Sequence, residues 1–131
     1  MSISLLNNNL KKFEDKSFFD NSEEVVIDKS ITITWASKQK YYTATNTEQV
    51  TVELSFNFTD VINNGLRIPI GFTDDDIDIN YYIHYGKNII SIKKILYTGE
   101  FVRIYSYKWP GYPPSITANL KITSKILQET D

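Results

Sequence analysis

The sequence predicts an all-β protein, an antiparallel β-sandwich or jelly roll of about eight strands, preceded by a short N-terminal amphipathic helix. Apolar and polar residues alternate through most of the chain after Glu24, turn-forming residues recur about every ten positions, and β-favouring aromatic residues make up 14% of the chain. The 131 residues are enough for one compact domain. We therefore expect a helical or neck segment over residues 1–22 and a β-sandwich domain over residues 23–131.

The N-terminal segment has the spacing of a helix. Ile3, Leu6, Leu10 and Phe13 follow one another at intervals of three or four residues, which places them along one helix face. Because so short a helix is marginal in water, this apolar face must pack against something. Three alternatives remain open: the helix packs on the chain's own sheet, it forms a neck shared between subunits, or the segment is a disordered leader. We name the four residues as candidates for an oligomer interface.

The first half of the domain shows a period of two. Residues 25–27 and 31–35 are short β-branched runs, and the polar residues 28–30 between them predict a turn. A further short strand is expected at 40–45. The clearest strand is 49–59, where Val, Leu and Phe alternate with polar residues, so that one face is buried and the other is wet.

The second half continues the pattern, with one complication. The segment 66–72 contains Pro69, which has no N–H to donate, and this predicts an edge strand or a β-bulge. Alternating or apolar runs predict further strands at residues 77–85, 88–94, 101–107 and 116–123.

Composition argues against several classes of function. The formal net charge of −2 and the absence of a basic stripe argue against nucleic-acid binding. The chain has no cysteine, which excludes a disulfide scaffold and thiolate metal sites. No apolar run approaches the roughly 20 residues of a membrane helix, and Asn7 to Asn9 interrupt any secretory signal. No glycine-rich phosphate loop occurs, so we expect no cofactor.

Catalytic chemistry has little support in the sequence. His84 is the single histidine, and no Gly-x-Ser-x-Gly turn offers it a serine partner. Glu53 and Glu100 would act together only if the fold brought their carboxylates within about 5–10 Å. Asp74 and Asp76 are weak candidates for binding a cation, because the calcium-loop spacing that they begin then lacks its glycine and its glutamate. We expect no enzymatic activity, no catalytic residue and no metal site.

The strongest functional signal is a group of aromatic residues. Four of them lie in one short segment whose end is stiffened by three prolines. Flat rings suit the apolar C–H faces of sugars, and the polar tips of Tyr and Trp form hydrogen bonds at a wet surface. The alternative is that these rings fill the core or a subunit seam. The candidates for stacking on a saccharide are Trp109, Tyr112, Tyr107, Tyr105 and Tyr82.

The order of motifs between residues 31 and 127 resembles a known family. A strand at 50–56 precedes a glycine-containing turn and an Ile-Pro-Ile-Gly-Phe segment at 68–72, and a Thr-Gly-Glu turn at 98–100 leads into 101–105. This order resembles the terminal β-sandwich (head) domains of bacteriophage tail-fibre and baseplate receptor-binding proteins. The resemblance implies a homotrimer in the virion tail that has no catalysis of its own. Its implied partners are cell-surface polysaccharide or other virion proteins.

A second hypothesis has no viral link. It is a monomeric carbohydrate-binding or surface-adhesion β-sandwich of a bacterium, located outside the cell or at its surface. The apolar helix face would then fold onto its own sheet, whereas in the virion hypothesis it would form the neck where three chains meet. Neither hypothesis requires binding to nucleic acid or insertion into a membrane.

Overall fold

The computed structural model describes residues 24–57, 65–74, 78–84, 86–108 and 113–127. These residues form eight strands, and no helix that could cross a membrane occurs among them. The predicted all-β class is confirmed, whereas the predicted N-terminal helix lies outside the described residues. The strands are β1 (Glu24–Thr34), β2 (Gln39–Thr43), β3 (Glu48–Phe56), β4 (Leu66–Gly71), β5 (Ile79–Ile83), β6 (Ile89–Leu96), β7 (Phe101–Ile104) and β8 (Ser115–Ile126).

The strands form a jelly roll of two four-stranded antiparallel sheets. The back sheet has the order β1-β8-β3-β6, and the front sheet has the order β2-β7-β4-β5. The pairs β1–β8, β2–β7, β3–β6 and β4–β5 are those of one long hairpin whose tip joins β4 to β5. Rolling up this hairpin adds the pairs β3–β8 and β4–β7, which complete the two sheets.

The inner faces of the two sheets enclose one hydrophobic core. In the back sheet, the register places Val52 opposite Ile122 and Leu54 opposite Leu120, and all four side chains are buried. The front sheet contributes residues such as Ile68, which is fully buried. Full burial of such a side chain is worth about 1.5–3 kcal/mol, so the alternation seen in the sequence is the main source of stability.

Strand β1 is longer than the sequence predicts. Residues 28–30, predicted as a turn, continue the strand without a break from Glu24 to Thr34. Polar residues of the partner strand β8 lie beside Asp28 and so accommodate it within the strand. Asn119 Nδ2 donates a 2.9 Å hydrogen bond to Asp28 Oδ1, and Lys121 lies opposite Asp28 in the register. The predicted turn is wrong because pairing with β8 overrides a weak local preference.

Strand β4 lies inside the front sheet, between β7 and β5, so the predicted edge position or bulge of Pro69 is wrong. The missing N–H of Pro69 instead shortens the pairing between β4 and β7. Pairing of β4 with β7 is limited to Ile70 and Gly71. At the next position Tyr105 N donates to the Pro69 carbonyl at 3.4 Å, and Pro69 cannot return the second bond of a normal antiparallel pair.

The chain consequently leaves the front sheet after Ile104. Residues 105–108 have no strand structure, and the backbone N–H of Ser106 donates to the Thr34 carbonyl at 3.3 Å. This contact brings the segment beside the connection between β1 and β2. Pro69 thus ends the β4–β7 ladder just before residues 105–108, which carry Tyr105 and Tyr107.

A buried carboxylate ties the two sheets together. Glu48, at the start of β3, is 2% exposed. Its carboxylate accepts hydrogen bonds from Tyr42 Oη on β2, Ser124 Oγ on β8 (2.6 Å) and the backbone N–H groups of Thr45 (3.0 Å) and Asn46 (3.1 Å). Burial alone would raise the pKa of Glu48, but these hydrogen bonds bring it below its ordinary value. The group is therefore a charged structural clamp at neutral pH.

Candidate functional site

The outer face of the front sheet carries three of the five aromatic residues predicted to bind a ligand. The β4–β5 register pairs Arg67 with Tyr82, and the neighbouring pair, Leu66 with Ile83, is buried in the core. Because successive side chains of a strand point to opposite faces, Arg67 and Tyr82 face outward. Tyr82 is 57% exposed, so its ring is open to a ligand.

Tyr105 and Tyr107 join this surface from the segment after β7. The Arg67 guanidinium carbon lies 4.3 Å from the centroid of the Tyr107 ring, and Tyr107 Oη donates a 3.3 Å hydrogen bond to Asn80 Oδ1. The rings of Tyr105 and Tyr107 meet edge to face, with centroids 5.9 Å apart and planes at 62°. We call the surface formed by Arg67, Asn80, Tyr82, Tyr105 and Tyr107 the tyrosine face.

A buried ion pair supports the tyrosine face. Arg103 Nη2 lies 2.6 Å from Asp78 Oδ1, and both side chains are largely buried. Gly71 lies opposite Arg103 in the register and leaves the space for this pair. A Cβ at position 71 would collide with the Asp78 carboxylate and lie 2.7 Å from Arg103 Nη2. Any side chain at position 71 would therefore force the Asp78 and Arg103 side chains to move.

Tyr105 has an unusual electrostatic environment. Burial of the phenol, and then the negative charge of Asp78, raises the pKa of Tyr105 to about 12. The neighbouring Tyr107 contributes in the same direction. Tyr105 therefore keeps its hydroxyl proton throughout the neutral range and can act there as a hydrogen-bond donor.

A second group of side chains lies where β1 connects to β2. Trp35 is 44% exposed, and Lys108 Nζ lies 4.2 Å from its ring centroid. Lys38 Nζ lies 4.8 Å from the centroid of the Tyr105 ring, which links this group to the tyrosine face. We call Trp35, Lys38 and Lys108 the corner. Sequence reasoning missed it, and the only available signal was that Trp35 is one of two tryptophans.

The other predicted site residues are placed as follows. Asp74 is exposed, and its carboxylate lies 4.0 Å from Lys40 Nζ. Within the described part of the chain, no group of three or more His, Cys, Asp or Glu residues could hold a metal ion. The predicted residues that lie outside the described residues are Trp109, Tyr112, Asp76, Ile3, Leu6, Leu10 and Phe13.

The residues considered for catalysis do not meet. His84 follows β5 at the front sheet and is exposed. Glu53 faces outward from the back sheet, opposite Ser91, whereas Glu100 lies in the turn after β6, where it accepts a 2.9 Å hydrogen bond from Tyr97 N. Ser91, the residue of β6 that pairs with Glu53, lies five residues before the end of β6 at Leu96. This corresponds to about 16 Å along the strand. The geometry does not join the two glutamates into a carboxylate pair.

The outer face of the back sheet offers a second surface of a different character. It contains a polar depression of about 150 Å³ lined by aliphatic polar and charged side chains, and none of the lining residues is aromatic. The lining residues are Glu24, Gln49, Thr51, Lys93, Thr123 and Lys125. The tyrosine face is thus the better candidate for binding a ligand with an apolar ring face.

Comparison with known proteins yields a distant structural similarity. No family model matches the chain, and no curated protein matches it. A solved structure described as a novel family of disulfide-linked pili that form Bacillus endospore appendages has a TM-score of 0.44 and 12% sequence identity. The match covers 85% of this chain and 96% of that chain. At this distance the similarity carries no inference about function, and the present chain contains no cysteine.

Proposed function

We propose that the chain is a non-enzymatic module of a bacteriophage tail fibre or baseplate that attaches, as a homotrimer, to a cell-surface saccharide. The observation that carries the proposal is the tyrosine face. Three residues selected from the sequence for saccharide binding, Tyr82, Tyr105 and Tyr107, share one outer face of the sandwich.

The chemistry of this face suits a sugar. The Tyr82 ring offers an open apolar plane, and the phenol, amide and guanidinium groups around it can form hydrogen bonds with hydroxyl groups. Tyr107 is already held by Asn80 and Arg67, so little side-chain entropy is lost when a ligand binds. A rigid aromatic surface of this kind supports recognition of a partner.

Trimeric assembly would strengthen a weak single site. Linking several sites raises the effective concentration of the second and third binding events without any new contact. The apolar positions Ile3, Leu6, Leu10 and Phe13 are our candidates for the seam that joins the chains. The proposal therefore has two parts, a binding face and a neck, which are tested separately.

The binding face is tested on a glycan array, followed by titration calorimetry on any glycan bound. Tyr82→Ala should weaken binding by about fivefold or more, as expected for an important contact residue. Tyr97→Ala is the matched control, because Tyr97 is 60% exposed but lies in the β6–β7 turn. Failure to bind any glycan, or equal effects of the two substitutions, would contradict the proposal.

The neck is tested by light scattering. The intact chain should have three times the mass of the 15.2 kDa monomer, and removal of residues 1–15 should give a folded monomer. A monomer at micromolar concentration that still binds a glycan would favour the bacterial adhesion module instead. A destabilised domain after truncation would indicate a helix docked on its own sheet.

A further inference from the structure

We infer that the saccharide bound by this surface is acidic and that its anionic groups pair with the ammonium groups of the corner, Lys38 and Lys108. The inference rests on the proposed function and names the ligand class of the same surface. The shared chemistry is a carboxylate or a phosphate carried on a sugar.

The first argument is the placement of the two ammonium groups. Lys38 lies over Tyr105 and Lys108 lies over Trp35, at distances where a cation is attracted to the electron-rich ring face. An ammonium group has three N–H donors, and a ring beneath it leaves donors directed away from the ring. The rings also restrict two long side chains that would otherwise lose rotamer entropy when a ligand binds.

The second argument is charge. On the outer face of the front sheet, Arg103 is paired with Asp78 and Lys40 with Asp74. Within the described residues, by contrast, Lys38 and Lys108 have no carboxylate within 4.0 Å. Among the residues that the structure describes, the corner thus presents two positive charges without a carboxylate partner, although the chain as a whole has a net charge of −2. An anionic ligand group would supply the missing charge.

The third argument is that cations already cover part of the aromatic surface. One face of Tyr105 is next to Lys38, and one face of Tyr107 is next to Arg67. A sugar cannot stack on those faces without displacing a cation. Contacts to charged donors therefore matter more here than they would on an uncovered aromatic platform, and they favour a ligand with a negative charge.

The test uses matched pairs of ligands on one array. Oligogalacturonate is compared with its methyl ester, and sugar phosphates are compared with the same sugars without phosphate. We expect the acidic member of a bound pair to bind at least about tenfold more tightly and to lose affinity as salt is raised. The carboxylate and phosphate pairs distinguish the two sources of charge.

The variants Lys38→Gln and Lys108→Gln locate the anionic groups. Each should weaken binding of the acidic glycan by about two- to fivefold, the range for a solvent-exposed ion pair. Lys93→Gln and Lys121→Gln, on the exposed outer face of the back sheet, should leave it unchanged. Thermal unfolding of every variant checks that the substitutions at these surface positions leave the fold intact.

The outcomes separate the two proposals. Equal binding of acidic and neutral glycans, or unchanged binding by both corner variants, overturns the acidic-ligand inference, while a loss on Tyr82→Ala still supports saccharide binding. An array on which no glycan binds overturns both. Binding of acidic glycans that is lost equally in the back-sheet variants overturns the assignment to the corner.

Discussion

The outer faces of the two sheets differ in how regularly their strands pair. In the back sheet, β1 and β8 pair over all eleven residues of β1, and the outward positions carry mostly Thr, Ser, Asn and charged residues. In the front sheet, β4 and β7 share two register pairs, because Pro69 interrupts the ladder. Regular pairing leaves the outward positions of β1 and β8 mostly polar, whereas the interruption releases residues 105–108 to form an aromatic surface.

The two faces also differ in how their charges are placed. The Arg103–Asp78 pair of the front sheet is short and largely buried, whereas the Lys125–Glu24 pair of the back sheet has an N–O distance of 3.9 Å and is exposed. Disrupting a buried pair leaves an uncompensated charge in a low dielectric, while solvent screens an exposed pair. The front face should therefore be sensitive to substitution and the back face tolerant.

The largest effect is expected for Gly71→Ala. A methyl group at this position collides with the Asp78 carboxylate, so the buried ion pair must separate or shift. We expect the free energy of unfolding, measured by urea denaturation, to fall by about 3 kcal/mol. Ser55→Ala on the exposed face of β3 is the control and should change it by less than about 0.5 kcal/mol. Equal stability of the two variants would refute the difference between the faces.

The clamp that joins the sheets comes next. Glu48→Gln removes the charge that four donors share, and we expect a loss of about 2 kcal/mol at pH 7. Because the folded pKa of Glu48 is lowered from 4.5, the charged group stabilises the fold above the unfolded value and this contribution is lost as the pH falls through the folded pKa. The stability difference between native protein and variant should therefore shrink in acid. A difference independent of pH would contradict this account.

The high-pH end of a tyrosine titration tests the environment of Tyr105 on the front face. The pKa of Tyr105 is raised from 10.0 to about 12, so its ionisation should appear in ultraviolet titration well above that of an ordinary tyrosine. The neutral phenol stabilises the fold below pH 10, and this stability is lost as the pH rises toward 12. Because burial also raises the pKa values of Tyr41, Tyr42 and Tyr81, Tyr105→Phe should remove one phenol from the late part of the titration. An unchanged amplitude there would contradict the assignment to Tyr105.

The smallest effect is expected on the back face. Lys125→Gln breaks the exposed contact with Glu24, and the free energy of unfolding should fall by less than about 0.5 kcal/mol. Differential scanning calorimetry at low and high salt should show that even this effect weakens with ionic strength. A loss comparable with that of Gly71→Ala would show that the two faces are equally sensitive.

Strand positions could be read from the sequence where burial repeats every second residue. In β3 and β8 the predicted inward positions, such as Val52 and Leu120, are the buried ones. The polar residues 28–30 misled the prediction, since their pairing partners lie about 90 residues away in the chain. For the same reason a local rule assigned Pro69 to an edge or a bulge, although β4 lies between two other strands.

The candidate site was predictable in part. Residue type identified Tyr82, Tyr105 and Tyr107 because large amphipathic rings are favoured at binding surfaces. The residues that hold these rings could not be found in this way. Arg67 reaches Tyr107, and Lys38 reaches Tyr105, across separations in the chain that no local pattern records.

The sequence by itself determined which side chains of β3 and β8 are buried, because apolar residues at every second position can be removed from water together when the chain is extended. Tertiary structure alone decided which outer face became the aromatic and cationic one. That choice depends on the rolled hairpin register, which places the ladder-ending Pro69 opposite Tyr105 and brings the segment that follows beside the end of β1. Strand register is a property of the whole fold, since it is set by contacts between distant parts of the chain.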